Sequence, residues 1–301
     1  NPGLRDAVAR GESRLSELDT LRSGGLKSLA ASGSQRVISG DTTVAVSKGT
    51  RLSVNNHAGR ITVTAWNRDE VQIRSVSSDD DADIRVERSG TELLVSQRMR
   101  YGPTEIDLTI NAPAWMALSL QGIETEIVVS GTAAPVRAQS VEGNVAVNGG
   151  ADNVALSSVD GDVSADGVRG NLDIQAVDGN VTVRNLAGAL SIQAVDGDAI
   201  LEGVTSSSVR VSSVDGDIRF NGAIAPNGSY AFKTHDGNIS IRPVGALNAT
   251  VTVSTWSGEF ESATPVTISG SQEGKRFSFT VGTGSARLEL EAFDGLIRLE
   301  K

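Results

Sequence analysis

A glycine-marked repeat restricts this chain to a narrow set of folds. Residues 143–205 divide into seven nine-residue units: GNVAVNGGA, DNVALSSVD, GDVSADGVR, GNLDIQAVD, GNVTVRNLA, GALSIQAVD and GDAILEGVT. Gly161, Gly170, Gly179, Gly188 and Gly197 open five of them in succession. Counting from each opening residue, the positions two, four and seven further on are apolar: Val163, Ala165, Val168; Leu172, Ile174, Val177; Val181, Val183, Leu186; Leu190, Ile192, Val195. Side chains two apart share one face of a strand, so the first two of each set point inward and the third is expected to turn inward at a corner. Alternate units match each other better than neighbours do, which makes the true repeat 18 residues. Its marker recurs as SVEGNV, SVDGDV, AVDGNV, AVDGDA, SVDGDI and THDGNI, with Gly143, Gly161, Gly179, Gly197, Gly216 and Gly237 in register. The spacing grows from 18 to 19 to 21 residues, and Gly258 and Gly295 continue the series across a longer insertion. One strand–turn–strand–turn unit per period predicts a mostly-β chain, a parallel β-solenoid of about 18–21 residues per coil with strands about 4.8 Å apart.

A solenoid has a narrow interior, and the composition suits one. Of 301 residues, 33 are Gly and only 4% are aromatic, so the interior falls to Val, Ile, Leu and Ala. There is no Cys, which removes disulfides, thiolate metal sites and cysteine nucleophiles. The net charge of −10 opposes binding through phosphates, so nucleic acid is not an expected partner. No window approaches 18 consecutive apolar residues, so no transmembrane segment is expected in this chain. It opens at Asn1 without Met, which allows for a removed targeting segment.

Three regions follow. Residues 1–36 alone show helical spacing, with Leu4, Ala7, Val8, Leu15, Leu18 and Leu21, and predict one or two helices over about 4–22. Six basic residues there stand against four acidic ones, a local +2 that leaves −12 for the remainder. This segment is expected to cap one end of the solenoid or to serve assembly. From about residue 37 the period becomes two, as in Val44/Val46, Ile61/Val63 and Ile106/Leu108/Ile110, so 37–135 is read as an irregular β region that begins the solenoid. The acidic run Asp79, Asp80, Asp81 and Asp83 reads as a solvated loop, because its spacing fits no EF-hand. Residues 136–301 are read as regular coils that widen toward the C-terminus. There the corner position held by Val159, Val177, Val195 and Val214 becomes His235, Trp256 and Phe293, while Phe220, Phe232, Phe260, Phe277 and Phe279 collect nearby.

The recurring [SA]-V-[DE]-G-[DN] phrase, preceded by NNHAGRITVTAWNRDEVQIR, resembles the bacterial adhesin-type β-strand-repeat family of unknown function, DUF4097. The resemblance covers about 40–301 and leaves out 1–36. It implies a β-solenoid in a cell-envelope or extracellular setting, hence extracytoplasmic, with an adhesin-like role by analogy of fold alone.

Four chemistries compete for these residues. Glu142, Asp160, Asp178, Asp196, Asp215 and Asp236 each precede an in-register glycine and should stack one per coil. Unit charges about 4.8 Å apart repel by roughly 0.9 kcal/mol in a water-like dielectric, so something must offset them. Turn chemistry is the favoured solution, each carboxylate accepting a local backbone N–H while glycine takes a positive φ. The alternative is a calcium column through Asp160, Asp178, Asp196 and Asp215, although the GGxGxDxUx motif of calcium-binding nonapeptide repeats is incomplete here. A glycan-active β-helix enzyme, lyase or hydrolase, would pair carboxylates from neighbouring coils. The equal status of the stacked Asp residues speaks against that, and His57 and His235 read as packed, hydrogen-bonded corner residues; no catalytic or cofactor-binding residues are assigned. Finally, the alternate units present an outward face that includes Ser157, Asn171, Asp173, Gln175, Ser191, Gln193 and Ser212, small, flat and nearly uncharged, with Gln175 and Gln193 expected to form an amide ladder. Such a face suits a cell-surface glycan, a protein, or another copy of the chain. Trp66, Trp115 and Trp256 are expected to fill core or corner positions. The functional expectation is a non-enzymatic extracytoplasmic scaffold; a self-assembling filament joined through 1–36 or the solenoid ends is the structural alternative.

Overall fold

A computed structural model describes residues 36–38, 41–77, 83–98, 104–263 and 276–301. The predicted helix over 4–22 and most of the acidic run 79–83 lie outside them. Among the described residues every regular element is a strand, and Arg36, placed by its sequence in the helical segment, opens the first one.

The N-terminal part contributes β1 (Arg36–Ile38), β2 (Thr42–Ala45), β3 (Arg51–Trp66), β4 (Glu70–Ser77), β5 (Asp83–Ser89), β6 (Glu92–Arg98), β7 (Ile106–Pro113) and β8 (Ala117–Thr132). The middle follows with β9 (Val136–Glu142), β10 (Val145–Gly149), β11 (Ala151–Asp160), β12 (Val163–Asp166), β13 (Arg169–Asp178), β14 (Val181–Arg184), β15 (Leu190–Gln193), β16 (Ala199–Ser212), β17 (Ile218–Asp236) and β18 (Ile239–Pro243). The C-terminal part is β19 (Ala249–Thr255), β20 (Glu259–Ser262), β21 (Arg276–Val281), β22 (Ala286–Asp294) and β23 (Leu296–Leu299).

Pairing arranges these strands into two faces around one core. The first face runs β1–β5–β6–β3–β8–β9–β11–β13–β15–β16–β17–β22–β19–β21. The second runs β2–β4–β7–β3–β8–β10–β12–β14–β16–β17–β18–β23–β20. The long strands β3, β8, β16 and β17 turn a corner and belong to both. Inward residues from both faces are buried to within a few per cent, for example Ile174, Val183, Ile192, Leu201 and Val211. Alternation along each strand is the physical cause, since period two sends every second side chain into the interior.

The expected parallel solenoid holds for the stacked coils and fails at the ends, where the sheet is mixed. Strands β1, β5 and β6 on one face and β2, β4 and β7 on the other pair antiparallel among themselves, and β21 pairs antiparallel with β19. Coil order also departs from chain order in the same way at both ends. β3 lies between the later β6/β7 and β8, and the last coil, β22/β23, lies between β17/β18 and β19/β20. The glycines record this threading. A Cβ added at Gly295 would lie 2.1 Å from the Gly237 carbonyl oxygen, and one at Gly258 2.0 Å from that of Gly295, so the column runs Gly237, Gly295, Gly258. Each excursion thus covers an outermost full coil with short or antiparallel strands, which blunts the open edges a solenoid would otherwise present.

Candidate functional site

The repeated phrase builds one corner, and each letter has a physical job. Its first residue points inward: Ser140, Ser158, Ala176, Ala194, Ser213 and Thr234 are all buried. The Ser158 hydroxyl donates to the Gly143 carbonyl of the preceding coil at 2.9 Å, and Ser140 to the Thr125 carbonyl at 2.7 Å, which is why Ser and Ala can alternate there. Period two then turns the following residue outward in the later coils, while Val141 of the first phrase stays 6% exposed. This corrects the expectation that Val177 and Val195 turn into the core: Val177 is half-buried and Val195 is 39% exposed. In the other units Val168, Leu186 and Val204 do turn inward. The same register places His235, Phe293 and Trp256 outside the core instead of widening it. Phe293 is 44% and Trp256 70% exposed, and they stack in a row, His235 on Phe293 at 4.6 Å and Phe293 on Trp256 at 5.9 Å. The wider coils are filled instead by Phe220, Tyr230 and Phe232, with ring centroids 5.2–6.2 Å apart.

The glycine has two duties, both set by stacking. Its φ lies at 143° in Gly161 and 142° in Gly179, and a Cβ at Gly179 would stand 2.4 Å from the Gly161 carbonyl oxygen. Conformation and close approach both exclude a larger residue.

The acidic residue before each glycine stacks as expected, through Glu124, Glu142, Asp160, Asp178, Asp196, Asp215, Asp236 and Asp294 in register. Its backbone carbonyl accepts the coil-to-coil bond, for instance from Gly161 N–H to Asp178 at 2.9 Å. Contrary to the turn chemistry expected, the Asp160, Asp178, Asp196 and Asp215 carboxylates are exposed and accept no local N–H. Among the described residues no three His, Cys, Asp or Glu groups come together where they could hold a metal ion.

The ladder is made by the residue after the glycine. Asp162 N–H donates to Asn144 Oδ1 at 2.8 Å, Asn180 to Asp162 at 2.8 Å, Asp198 to Asn180 at 3.0 Å, Asp217 to Asp198 at 3.0 Å, and Asn238 to Asp217 at 2.9 Å. Alternation of Asn with Asp separates the charges, and the Asn180 and Asn238 amides also donate to their Asp neighbours. Where Asp198 and Asp217 are adjacent, Arg219 bridges both at 2.7 and 2.6 Å. Partial burial acts to raise the Asp198 carboxyl, but the Arg219 and Asp217 N–H hydrogen bonds and the guanidinium charge outweigh it and hold the group below the ordinary carboxylate value. The mixed Asp and Asn after the glycines is the sequence signal for this ladder.

The expected interaction face lies on the first sheet. Asn153, Ala155, Asn171, Asp173, Ala189, Ser191, Ser208 and Arg210 from four coils line a shallow groove of about 280 Å³. Asn171 Nδ2 donates to Asn153 Oδ1 at 3.1 Å, an amide ladder two columns away from the expected one. Gln175 and Gln193 are in register, but the Gln175 amide leans sideways to Asp173 at 3.4 Å. Ser212 continues their column. Ser157 is 5% exposed, flanked in register by Gln139 and Gln175, and its buried hydroxyl has no partner, so it lies beneath this face and not on it.

Elsewhere, Trp66 and Trp115 are partly buried as expected, donating to the Glu70 carbonyl and to Asp69, whereas Trp256 is exposed. His57 and His235 do not form the side-chain hydrogen bonds expected: His57 Nδ1 is buried without a partner, and His235 is held by its ring stack. A second hollow of about 460 Å³ at the C-terminal end is lined by Glu261, Arg298 and Glu300 among others. Its carboxylates are engaged, Glu261 by Arg298 at 2.9 Å and Glu300 by Ser240 at 2.8 Å and by Arg242; these hydrogen bonds, led by Ser240, hold Glu300 below the ordinary range.

Three solved structures are similar in outline. They are a putative cell adhesion protein from Clostridium sporogenes (13% identity, covering 89% of this chain and 99% of that one, TM-score 0.21), a putative adhesin from Bacteroides fragilis (14%, 88% and 97%, 0.39) and one from Parabacteroides distasonis (10%, 88% and 97%, 0.30). No curated protein matches. The Toastrack DUF4097 family model matches residues 49–300, which spans the stack described above, and the chain belongs to that family.

Proposed function

We propose that this chain is a non-enzymatic extracytoplasmic scaffold of adhesin type that holds a cell-surface glycan against the outer face of its first sheet. The observation that carries this reading is the 280 Å³ groove, in which Asn153, Asn171, Asp173, Ser191, Ser208 and Arg210 recur over successive coils. Evenly spaced rungs about 4.8 Å apart present a row of polar groups, Asn153 and Asn171 in one column and Asp173, Ser191 and Arg210 in the next, along which an extended polymer can lie. Alanines 155 and 189 leave room for a ring to lie flat. Enzyme chemistry has less support, because the stacked carboxylates repeat without local departure and those in the larger hollow are tied to Arg298 and Arg242. Filament assembly through the ends has less support too, since the outermost described strands are short: three or four residues in β1, β2 and β20 and six in β21, which runs antiparallel to its neighbour.

The test is binding of purified envelope polysaccharides, measured by calorimetry. The double variant Asp173→Ala/Arg210→Ala is expected to weaken binding at least about tenfold with an unchanged melting curve. Binding that is equal in both proteins would overturn the assignment of this face.

A further inference from the structure

One column on the outer face of the first sheet carries its charges in a regular order. Read rung by rung across the stack it is Arg137, Ala155, Asp173, Ser191, Arg210, Ala231, Glu289 and Thr252. From Arg137 to Glu289 a charged residue stands on every second rung, the sign alternates, and a small neutral residue separates each charge from the next. The columns on either side are uncharged in the middle of the stack, with Asn153, Asn171 and Ser208 on one and Ser157, Gln175 and Gln193 on the other. Asp173 and Arg210 are also the only charged residues that line the groove.

Elsewhere on the stack opposite charges neutralise each other on adjacent rungs. Arg184 meets Glu202, Arg298 meets Glu261 and Lys233 meets Glu291, each pair in direct register and 2.8–3.0 Å apart. In this column Ala155 and Ser191 stand between the partners. Among the described residues Arg137, Asp173 and Arg210 are in no ion pair: Arg137 donates to the neutral Gln139 at 3.3 Å, and Asp173 accepts a long bond from Gln175 at 3.4 Å. Glu289 is drawn sideways to Arg287 at 2.8 Å, which leaves Arg137, Asp173 and Arg210 as the free run. Two rungs are about 9.6 Å, longer than the screening length of about 8 Å at physiological ionic strength, so a ligand on this face meets each sign separately.

We propose that the polymer held here is a saccharide of mixed charge, whose repeat carries an ammonium group and an anionic group about two rungs apart. The inference rests on the glycan reading above and narrows it. Anionic groups take the guanidinium forks of Arg137 and Arg210, an ammonium takes the Asp173 carboxylate, and the uncharged stretches of the chain cross Ala155 and Ser191. A chain of one sign meets a like charge within two rungs of every favourable contact, and a neutral chain leaves all three charges unanswered.

Calorimetry with four polymers of matched length tests this: neutral dextran, hyaluronan with carboxylates alone, chitosan with ammonium groups alone, and partly N-deacetylated hyaluronan with both. The mixed polymer is expected to bind at least about tenfold more tightly than any of the others. Asp173→Asn should bring it down to the level of hyaluronan without weakening hyaluronan itself, whereas Arg210→Gln should weaken hyaluronan and the mixed polymer and spare chitosan; a disturbed face would weaken all of them alike. Arg137→Ala/Ala155→Arg keeps the net charge but sets a guanidinium one rung from Asp173, where the two can pair, and is expected to remove most of the preference. Dextran or a polymer of one sign binding as tightly as the mixed one overturns the inference and leaves the glycan reading standing. No binding of the mixed polymer also overturns it, and the envelope polysaccharides in the same calorimeter then decide whether the glycan reading falls with it.

Discussion

The middle of the stack and its two ends solve the same problem in different ways. From β9 to β18 each coil lies on the one before it in chain order, and every coil edge is satisfied by its neighbour. The ends have no next coil. There the chain leaves the stack, lays strands over it and returns underneath, so that β3 and the β22/β23 coil become interior. Regularity makes the middle a repeating surface, whereas departure from regularity makes the ends stable. A repeat protein needs both, because nearest-neighbour stacking alone leaves the terminal units uncovered.

The glycine columns should separate the two regions most sharply. A Cβ at Gly188 would lie 1.9 Å from the Gly170 carbonyl oxygen, with φ at 148°. Gly188→Ala is expected to cost at least about 3 kcal/mol in urea denaturation. Gly90, in the turn joining β5 and β6, has φ at 55° and nothing within 4 Å of an added Cβ, so Gly90→Ala should cost about 1 kcal/mol. Comparable costs at the two sites would undo the distinction.

Next come core truncations. Ile192 in the middle and Leu290 in the last coil are both at most 1% exposed. If β22 is truly interior, Leu290→Ala should match Ile192→Ala at about 2–5 kcal/mol; a fraying C-terminal coil would make it much cheaper. The Asx ladder gives a smaller effect. Asn180→Ala removes the acceptor for Asp198 N–H and the amide donated to Asp162, worth about 1 kcal/mol. Asn180→Asp keeps the acceptor but places four carboxylates in succession, from Asp162 to Asp217, and its cost should shrink as salt is raised. Smallest is the pH effect at Asp198. Its carboxyl is lowered in the folded state, so its contribution is complete above the unfolded value near 3.9 and is lost as pH falls through the folded value. Between pH 5 and 3 the parent should lose slightly more stability than Asp198→Asn, by well under about 1 kcal/mol for so exposed a pair.

The repeat makes the coils legible from the residues alone, because period two and the in-register glycines leave little choice about which side chains enter the core. It misleads at the corner. Val177 and Val195 look like third inward positions by counting from Gly170 and Gly188, yet the buried Ala176 and Ala194 have already taken the inward turn. Trp256 and Phe293 mislead for the same reason, since a large apolar residue in a valine's place suggests a wider core when the valine itself faces outward. The order of the last coils is hidden because Gly258 and Gly295 carry the same local chemistry, and only tertiary pairing decides which meets Gly237. The outer face is legible as a column of polar residues, but the burial of Ser157 beneath its glutamine neighbours depends on side-chain reach across strands, which periodicity does not encode.

The threading of the last coil is the claim on which the comparison rests, and cysteine pairs test it in a chain that has none. Lys233 lies in register with Glu291, while Ser254 is on the far side of Glu291. Coils stacked in chain order would instead put Lys233 beside Ser254. The stack described here predicts that Lys233→Cys/Glu291→Cys oxidises readily to a disulfide in the folded protein and that Lys233→Cys/Ser254→Cys, about 9.6 Å apart, does not. Rapid closure of the 233–254 pair with a reluctant 233–291 pair would contradict it.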